Sequence, residues 1–424
     1  MLRHHGPADL VLVDDSPAAT GPQGTPLRTG AAGAAALAAA EVVVKSPGIS
    51  RHRPDVARLE AGGAVVTGGM AIWLEAMAGT PVVGVTGTKG KSTTAALLHR
   101  LLEVAGVPAT LAGNIGVPVL SLLGPDVPRP AGRVHVVEVS SYQAADVSCS
   151  PSLGVLTSLH PEHLDWHGSL DRYLDDKLNL FAHGSRDDLR VLVGPHVELA
   201  EGRLGRLPAT VLRPTVAEEG LVLAPGDVLA PSQWPLAGRH NLENAALAVA
   251  AAGALGVEVA ERPHVVREAL EGFVPLAHRL TLLGRTDGGL DFVDDTLSTV
   301  PQSTVAALAA FGHRAVTVIV GGHDRGVDVG ELAAALAGRA EPTAVACVPD
   351  TGARVAEALR AGPPSATLAT EAADLDAAVA WAVRHTPPGG VVLLSPAAPS
   401  YNRYRSHEEL SSRFAELLAR HRSA

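Results

Sequence analysis

The segment Gly84-Val85-Thr86-Gly87-Thr88-Lys89-Gly90-Lys91-Ser92-Thr93 constrains this chain most, because it follows an apolar run at 81–85 and precedes a helical one at 94–102. Strand, glycine-rich loop and helix in that order make a phosphate loop. The glycines let backbone N–H groups turn inward on a polyphosphate, and the start of the helix adds favourable partial charge. Lys91 can reach the β- and γ-phosphates, and Ser92 or Thr93 offers a hydroxyl to Mg²⁺. Outside this context the same residues would form only a tight glycine turn with a solvated lysine. Here they point to ATP binding by Gly87, Thr88, Lys89, Gly90, Lys91, Ser92 and Thr93.

Short apolar runs alternate with helical patterns along the rest of the chain, which predicts open, doubly wound α/β sheets. Three domains are expected, at 1–79, 80–277 and 278–424. The first should hold strands at 9–15 and 41–44, with an Ala-rich helix at 30–40 packed on a sheet. The second should hold strands at 134–139, 153–159 and 189–193, a β-rich excursion at 201–234 and a helix at 241–256. Strands at 290–293, 315–320, 344–348 and 391–394 belong to the third. At 424 residues, 46% of them hydrophobic, the chain can bury two or three cores. Its net charge of -10 argues against a general affinity for nucleic acid. The Ala-rich run is too short to span a membrane, and Met1 to Gly6 lack the apolar core of a signal peptide. The two cysteines, Cys149 and Cys347, lie among apolar neighbours without ligand spacing, so both are expected as small buried thiols in a reducing cytoplasm.

Glu138 narrows the chemistry. It ends the apolar run that begins at Val134, where a carboxylate can hold Mg²⁺ directly or through water. Taken alone it could equally be a charge at a strand edge. Together, the loop and the strand of Glu138 resemble the Mur ligases and their relatives, the folylpolyglutamate synthases. More motifs follow in the family's order. Gly113-Asn114-Ile115-Gly116 is similar to the loop that faces the acyl substrate. Pro161-Glu162-His163-Leu164-Asp165, with Lys177 beyond it, looks like the family's histidine and modified-lysine pair. Gly238-Arg239-His240-Asn241-Leu242-Glu243-Asn244 resembles the adenine-side helix start, and His278-Arg279 the entry to the third domain. Leu393-Leu394-Ser395-Pro396-Ala397-Ala398-Pro399-Ser400 resembles the closing motif of the glutamate-adding members.

That resemblance covers nearly the whole chain. It implies a shortened N-terminal Rossmann-like domain, a central P-loop ATPase domain with a parallel sheet, and a C-terminal Rossmann-like domain. It implies a cytoplasmic, ATP-dependent ligase of peptidoglycan biosynthesis that adds glutamate to UDP-N-acetylmuramoyl-L-alanine through an acyl phosphate. Both steps crowd negative charge, so cations matter more than covalent catalysis. Two Mg²⁺ ions are implied, one on Thr93 and Glu138, the other on His163 and Lys177. A lysine ammonium is no metal ligand, but carbamylation by CO₂ turns its tip into a carboxylate. The resemblance gives catalytic roles to Lys91, His163, Lys177 and Arg279, and further ATP contacts to His240, Asn241, Asn244, Arg279 and Asp295. It gives the UDP-linked substrate to Asp14, Ser46, Gly48, Asn114 and His163. Without the family, Lys177 would read as a solvated helix lysine and His163 as a surface imidazole.

Three departures bear on specificity. The chain begins just before what looks like the family's second strand, so its first domain is expected to be reduced, or its true start to lie upstream. Members that add D-glutamate carry Asp-Ser-Lys-Ala-Thr, whereas Asp295-Thr296-Leu297-Ser298-Thr299 puts Leu297 in the lysine's place. Ser400 is kept, but His407 stands where the family has phenylalanine. A charge-assisted bond contributes roughly 1.5–3 kcal/mol, so the amino-acid pocket must be rebuilt. The motif looks more like the branch that adds L-glutamate and leaves inversion to a separate epimerase. Thr296, Thr299, Arg325, Ser400, Tyr401 and His407 are the expected glutamate contacts of a monomer whose other partners are small molecules. A D-glutamate ligase, a folylpolyglutamate synthase and a non-catalytic nucleotide-binding protein are the alternatives.

Overall fold

The computed structural model describes residues 10–15, 27–124, 132–218, 220–224, 226–230, 236, 238–274, 277–324, 326–362, 367–400 and 403–422. Two compact units divide the chain, residues 1–229 with 243–271, and residues 230–242 with 272–424.

The first unit is organised by a six-stranded parallel sheet. Its order is Thr210–Leu212, Arg190–His196, Leu153–Ser158, Val82–Thr86, Val134–Glu138 and Ala109–Gly113. The three central strands are buried along their whole length, as expected of parallel strands covered on both faces. One core contains Trp73, Val137, Leu156, Tyr173, Phe181 and Val191. Succession along the chain reverses around Val82–Thr86, whose neighbours are Val134–Glu138 and Leu153–Ser158. In open α/β sheets, ligands bind outside the strands' carboxyl ends at a switch of this kind. Parallel register sets Glu138 opposite both Val85 and Gly113. Glu138 is therefore paired with the strand that leads into the phosphate loop and the helix Lys91–Val104.

Ahead of this sheet lie two separate parallel pairs, Leu12–Val13 with Leu27–Arg28 and Val42–Lys45 with Val65–Gly68. Of the strand expected at 9–15, only Leu12–Val13 is extended among the described residues. The Ala-rich run forms the helix Gly30–Ala38, with Gly33 buried; a Cβ there would lie 2.9 Å from the Val13 side chain. Past residue 200 the expected β-rich excursion is mixed. It holds a short helix, Glu201–Leu204, the edge strand Thr210–Leu212 and the antiparallel pair Leu221–Ala224 and Asp227–Leu229. The helix Arg239–Ala254 then follows.

In the second unit another six-stranded sheet runs Thr281–Arg285, Asp291–Asp294, Val391–Leu394, Val316–Val320, Thr343–Cys347, Leu368–Glu371. The first strand is antiparallel and the others parallel. That antiparallel edge was not legible in the sequence. Alternation along the strands feeds two cores: Val293, Val318 and Val320 join Leu332 and Val355, while Phe292 and Ile319 join Val379 and Phe414. Cys347 is buried, but Cys149 is only half-buried, which corrects the expectation of two buried thiols. No helix among the described residues is long and apolar enough to cross a membrane.

Candidate active site

The phosphate loop is shaped by two glycines with positive φ, Gly87 at 148° and Gly90 at 85°. Neither position leaves room for a side chain. A Cβ would come within 2.0 Å of Thr157 Oγ1 at Gly87 and within 2.3 Å of Asn244 Oδ1 at Gly90. Ser158 steadies the loop from the next strand, accepting Thr88 N–H on its carbonyl at 2.7 Å and Lys89 N–H on its hydroxyl at 3.0 Å. Lys91 Nζ donates to the Thr88 carbonyl at 2.8 Å. Ser92 and Thr93, in the first turn of the helix, are both buried. Asn244 Oδ1 accepts from Thr94 Oγ1 at 3.3 Å, which ties the helix Arg239–Ala254 to the loop.

Around the loop stand the charged groups picked out in the sequence. Glu138 is 1% exposed. Asn114 Nδ2 donates to its Oε1 at 3.0 Å, while its Oε2 is buried with no hydrogen-bond partner among the described residues. A buried carboxylate oxygen left open is costly unless something positive meets it. Lys177 is 2% exposed at the end of the helix Leu170–Leu178, and its Nζ donates to the Gly87 carbonyl at 2.8 Å. Burial, then Lys91 nearby, pushes its amine well below the ordinary lysine range; Lys89 adds to this against Glu162 and Glu138.

His163 has φ of 56° and sits with Nε2 3.6 Å from Glu162 Oε2. Glu162 in turn pairs with Lys89 at 3.1 Å. Burial alone would raise the Glu162 carboxyl, yet Lys89, then His163 and Lys91, hold it well below the usual range. The sequence motif alone does not distinguish Glu162; the one local signal is its place in the loop that follows the buried strand Leu153–Ser158. Ser46 and Gly48 lie on the turn after Val42–Lys45, where the carbonyls of Pro47 and Gly48 accept Trp166 Nε1–H, both at 3.1 Å. Asp14 instead follows the strand Leu12–Val13, its N–H bonded to the Arg28 carbonyl at 3.2 Å.

Residues 85–200 match the Mur ligase middle domain, and residues 278–398 match the Mur ligase glutamate ligase domain. The chain is 45% identical, over 98% of its own length and 92% of the relative's, to the UDP-N-acetylmuramoyl-L-alanine--L-glutamate ligase of a Micromonospora strain. This chain belongs to the Mur ligase family. The enzyme of the same name from Xanthomonas euvesicatoria is 40% identical over 91% of this chain and 84% of that one. Among solved structures, the Thermotoga maritima MurF ligase in complex with ADP aligns at TM-score 0.60 and 16% identity, covering 97% of this chain and 89% of that one. The E. coli FolC in complex with DHPP and ADP aligns at 0.59 and 18%, covering 83% and 92%. This Mur ligase has the family's α/β fold and is an ATP-dependent ligase.

The remaining expected residues belong to the second unit. His240 and Asn241 occupy the first turn of the helix Arg239–Ala254. Asp294 and Asp295, at the end of Asp291–Asp294, face different partners. Asp294 Oδ2 meets His278 Nδ1 at 2.7 Å and Ser411 Oγ at 2.6 Å, and its Oδ1 accepts Thr296 N–H at 2.9 Å. Asp295 Oδ2 accepts from Ser298 Oγ at 2.5 Å and Ser395 Oγ at 2.7 Å, and burial raises its carboxyl to about 6 although Ser298, Ser395 and Arg279 all favour the ion. Leu297 is half-buried and donates its N–H to the His278 carbonyl at 3.2 Å. The expected glutamate set is divided. Thr296 and His407 flank the His278–Asp294 pair, with the two imidazole rings 5.2 Å apart. Ser400 instead lines a cavity of about 320 Å³ at the carboxyl ends of the central strands, with Gly321, Gly322, Pro349, Pro396 and Arg403. Thr299 is half-buried in the loop between them in sequence. Arg325 and Tyr401 lie outside the described residues.

Proposed function

We propose that this Mur ligase joins L-glutamate to UDP-N-acetylmuramoyl-L-alanine at the expense of ATP, in peptidoglycan biosynthesis. The observation that carries the reading is near full-length similarity, at 45% and 40% identity, to proteins named for that reaction. Leu297 supports the enantiomer, since it stands where members that add D-glutamate carry a lysine. The L-glutamyl product would then require a separate epimerase downstream.

The residues divide the work by chemistry. The amides of the phosphate loop and Lys91 take the nucleotide's phosphates; Lys91 Nζ would exchange the Thr88 carbonyl for phosphate oxygens. The substrate carboxylate attacks the γ-phosphate, ADP leaves, and the glutamate amine displaces phosphate from the acyl phosphate. The donor set fits hard divalent cations: the open Glu138 Oε2 and the Thr93 hydroxyl for one, His163 and a carbamylated Lys177 for the other. Such ions, when bound, neutralise charge on the phosphoryl group. The depressed basicity of Lys177 leaves a neutral amine able to attack CO₂, which a surface ammonium cannot do. Asn114 fixes the rotamer of Glu138.

ADP release should require both UDP-N-acetylmuramoyl-L-alanine and glutamate. Release with a folate and glutamate instead would favour the folylpolyglutamate reading, and nucleotide binding without turnover would favour a non-catalytic one.

A further inference from the structure

Four side chains from four segments of the first unit form one continuous polar chain. His52 Nε2 lies 2.7 Å from Asp176 Oδ2, His167 Nδ1 lies 2.6 Å from the same oxygen, and His167 Nε2 lies 3.0 Å from Ser141 Oγ. His52 follows the turn that holds Ser46 and Gly48, and Asp176 precedes Lys177 in the helix Leu170–Leu178. His167 ends the short helix Leu164–His167 behind His163, and Ser141 opens the helix that follows Glu138. The His167 side chain is fully buried, that of Asp176 is 11% exposed and that of His52 25%.

The donors can be assigned from the partners. A carboxylate only accepts, so His52 donates from Nε2 and His167 from Nδ1; His167 Nε2 is then left to accept from the Ser141 hydroxyl. Each of the three contacts then has one donor and one acceptor. Networks of this kind, shielded from water, hold one geometry firmly. Two further contacts flank the turn: Ser50 Oγ donates to the Trp166 carbonyl at 2.6 Å, and Lys45, which ends the strand before it, pairs with Asp146 at 2.5 Å. Adjacent positions on a helix point about 100° apart. Anchoring Asp176 from one side therefore fixes the rotation that delivers Lys177 to the phosphate loop.

We propose that His52, Asp176, His167 and Ser141 are positioning residues that lock the UDP-substrate turn to the helix of Lys177, so that substrate binding and the lysine's carbamate share one rigid frame. This rests on the proposed ligase reaction and its carbamylated lysine. None of the four touches the reacting atoms in this reading; they act through Lys177 and the turn.

The test uses the whole chain with His52→Ala and His52→Gln, the most exposed of the four positions and so the one best able to tolerate change. In His52→Ala, KM for UDP-N-acetylmuramoyl-L-alanine should rise about tenfold, with KM for ATP within about twofold. The lysine carbamate signal, read by ¹³C NMR in ¹³C-bicarbonate without substrates, should weaken. Glutamine places an N–H near the position of Nε2 and should restore both. Wild type with neither ligation nor a carbamate signal would defeat the underlying reading instead. If wild type shows both and His52→Ala matches it, the positioning role is wrong. A stoichiometric transition metal in purified wild type, lost with His52, would also overturn it, because the cluster would then be a metal site.

Discussion

Lys177 Nζ donates to the carbonyl of Gly87, so the buried lysine of the helix Leu170–Leu178 is held by the phosphate loop's own backbone. Carbamylation would leave one N–H on Nζ to keep that bond and would add an anionic tip beyond it. Lys177→Ala should therefore lose most ligation, by at least about a hundredfold, and acetate in the assay should restore part of it. High activity of the alanine variant in acid-free buffer would remove the case for a carbamate.

Lys91→Ala and Glu138→Ala should each abolish ligation while leaving the fold in place. Lys91 spends its charge on a loop carbonyl, and Glu138 keeps one oxygen open, so neither contributes much to the core. Circular dichroism and thermal melting check the fold, and ADP release checks the chemistry. Near-normal turnover of either variant would mean that the catalytic nucleotide binds elsewhere.

Asp295 gives the second unit a pH signature. Its carboxyl is raised from the ordinary 3.8 to about 6 by burial, so the folded state holds this proton more tightly than the unfolded chain does. The associated stabilisation is complete below 3.8 and is lost as pH rises through about 6. That interval corresponds to roughly 3 kcal/mol. Relative to Asp295→Asn, which does not titrate, wild type should lose about that much stability between about pH 4 and pH 7. Urea midpoints measured side by side decide it; parallel pH profiles would contradict the assignment.

Much of this was legible beforehand because the relevant signals are local. A phosphate loop is written in consecutive glycines and lysines, and buried parallel strands are written in runs such as Val316–Val320. What escaped depends on contacts distant in sequence. Nothing near Thr281 announces an antiparallel edge strand, since its partner Asp291–Asp294 defines it. The chain through His52, 124 residues from Asp176, is likewise invisible until the sheet brings the two together. The glutamate set was drawn from a motif pattern, and the fold divides it between the His278–Asp294 pair and the cavity lined by Ser400.

Specificity constants for L- and D-glutamate, with UDP-N-acetylmuramoyl-L-alanine saturating, should differ by at least about a hundredfold in favour of the L form. Inverting the centre displaces the amine or a carboxylate, and a misplaced nucleophile loses turnover as well as affinity. A preference for D-glutamate would leave Leu297 without an explanation.

The three-domain division at 1–79, 80–277 and 278–424 is open to direct test. Limited proteolysis should cut near residues 79 and 277. Uniform resistance along the chain would argue for fewer independent bodies.

His163 occupies the left-handed region at φ 56°, where a side chain costs roughly 1–2 kcal/mol and glycine nothing comparable. Backbone strain alone would favour glycine at this position, and the imidazole, 4.8 Å from the Tyr142 ring and 3.6 Å from Glu162, is held against the preference of its own backbone. Selection for thermal robustness without selection for growth should drift toward His163→Gly, yielding a sturdier protein that no longer makes product. This position is therefore one where a library screened only for solubility or melting temperature would discard the enzyme while improving the scaffold.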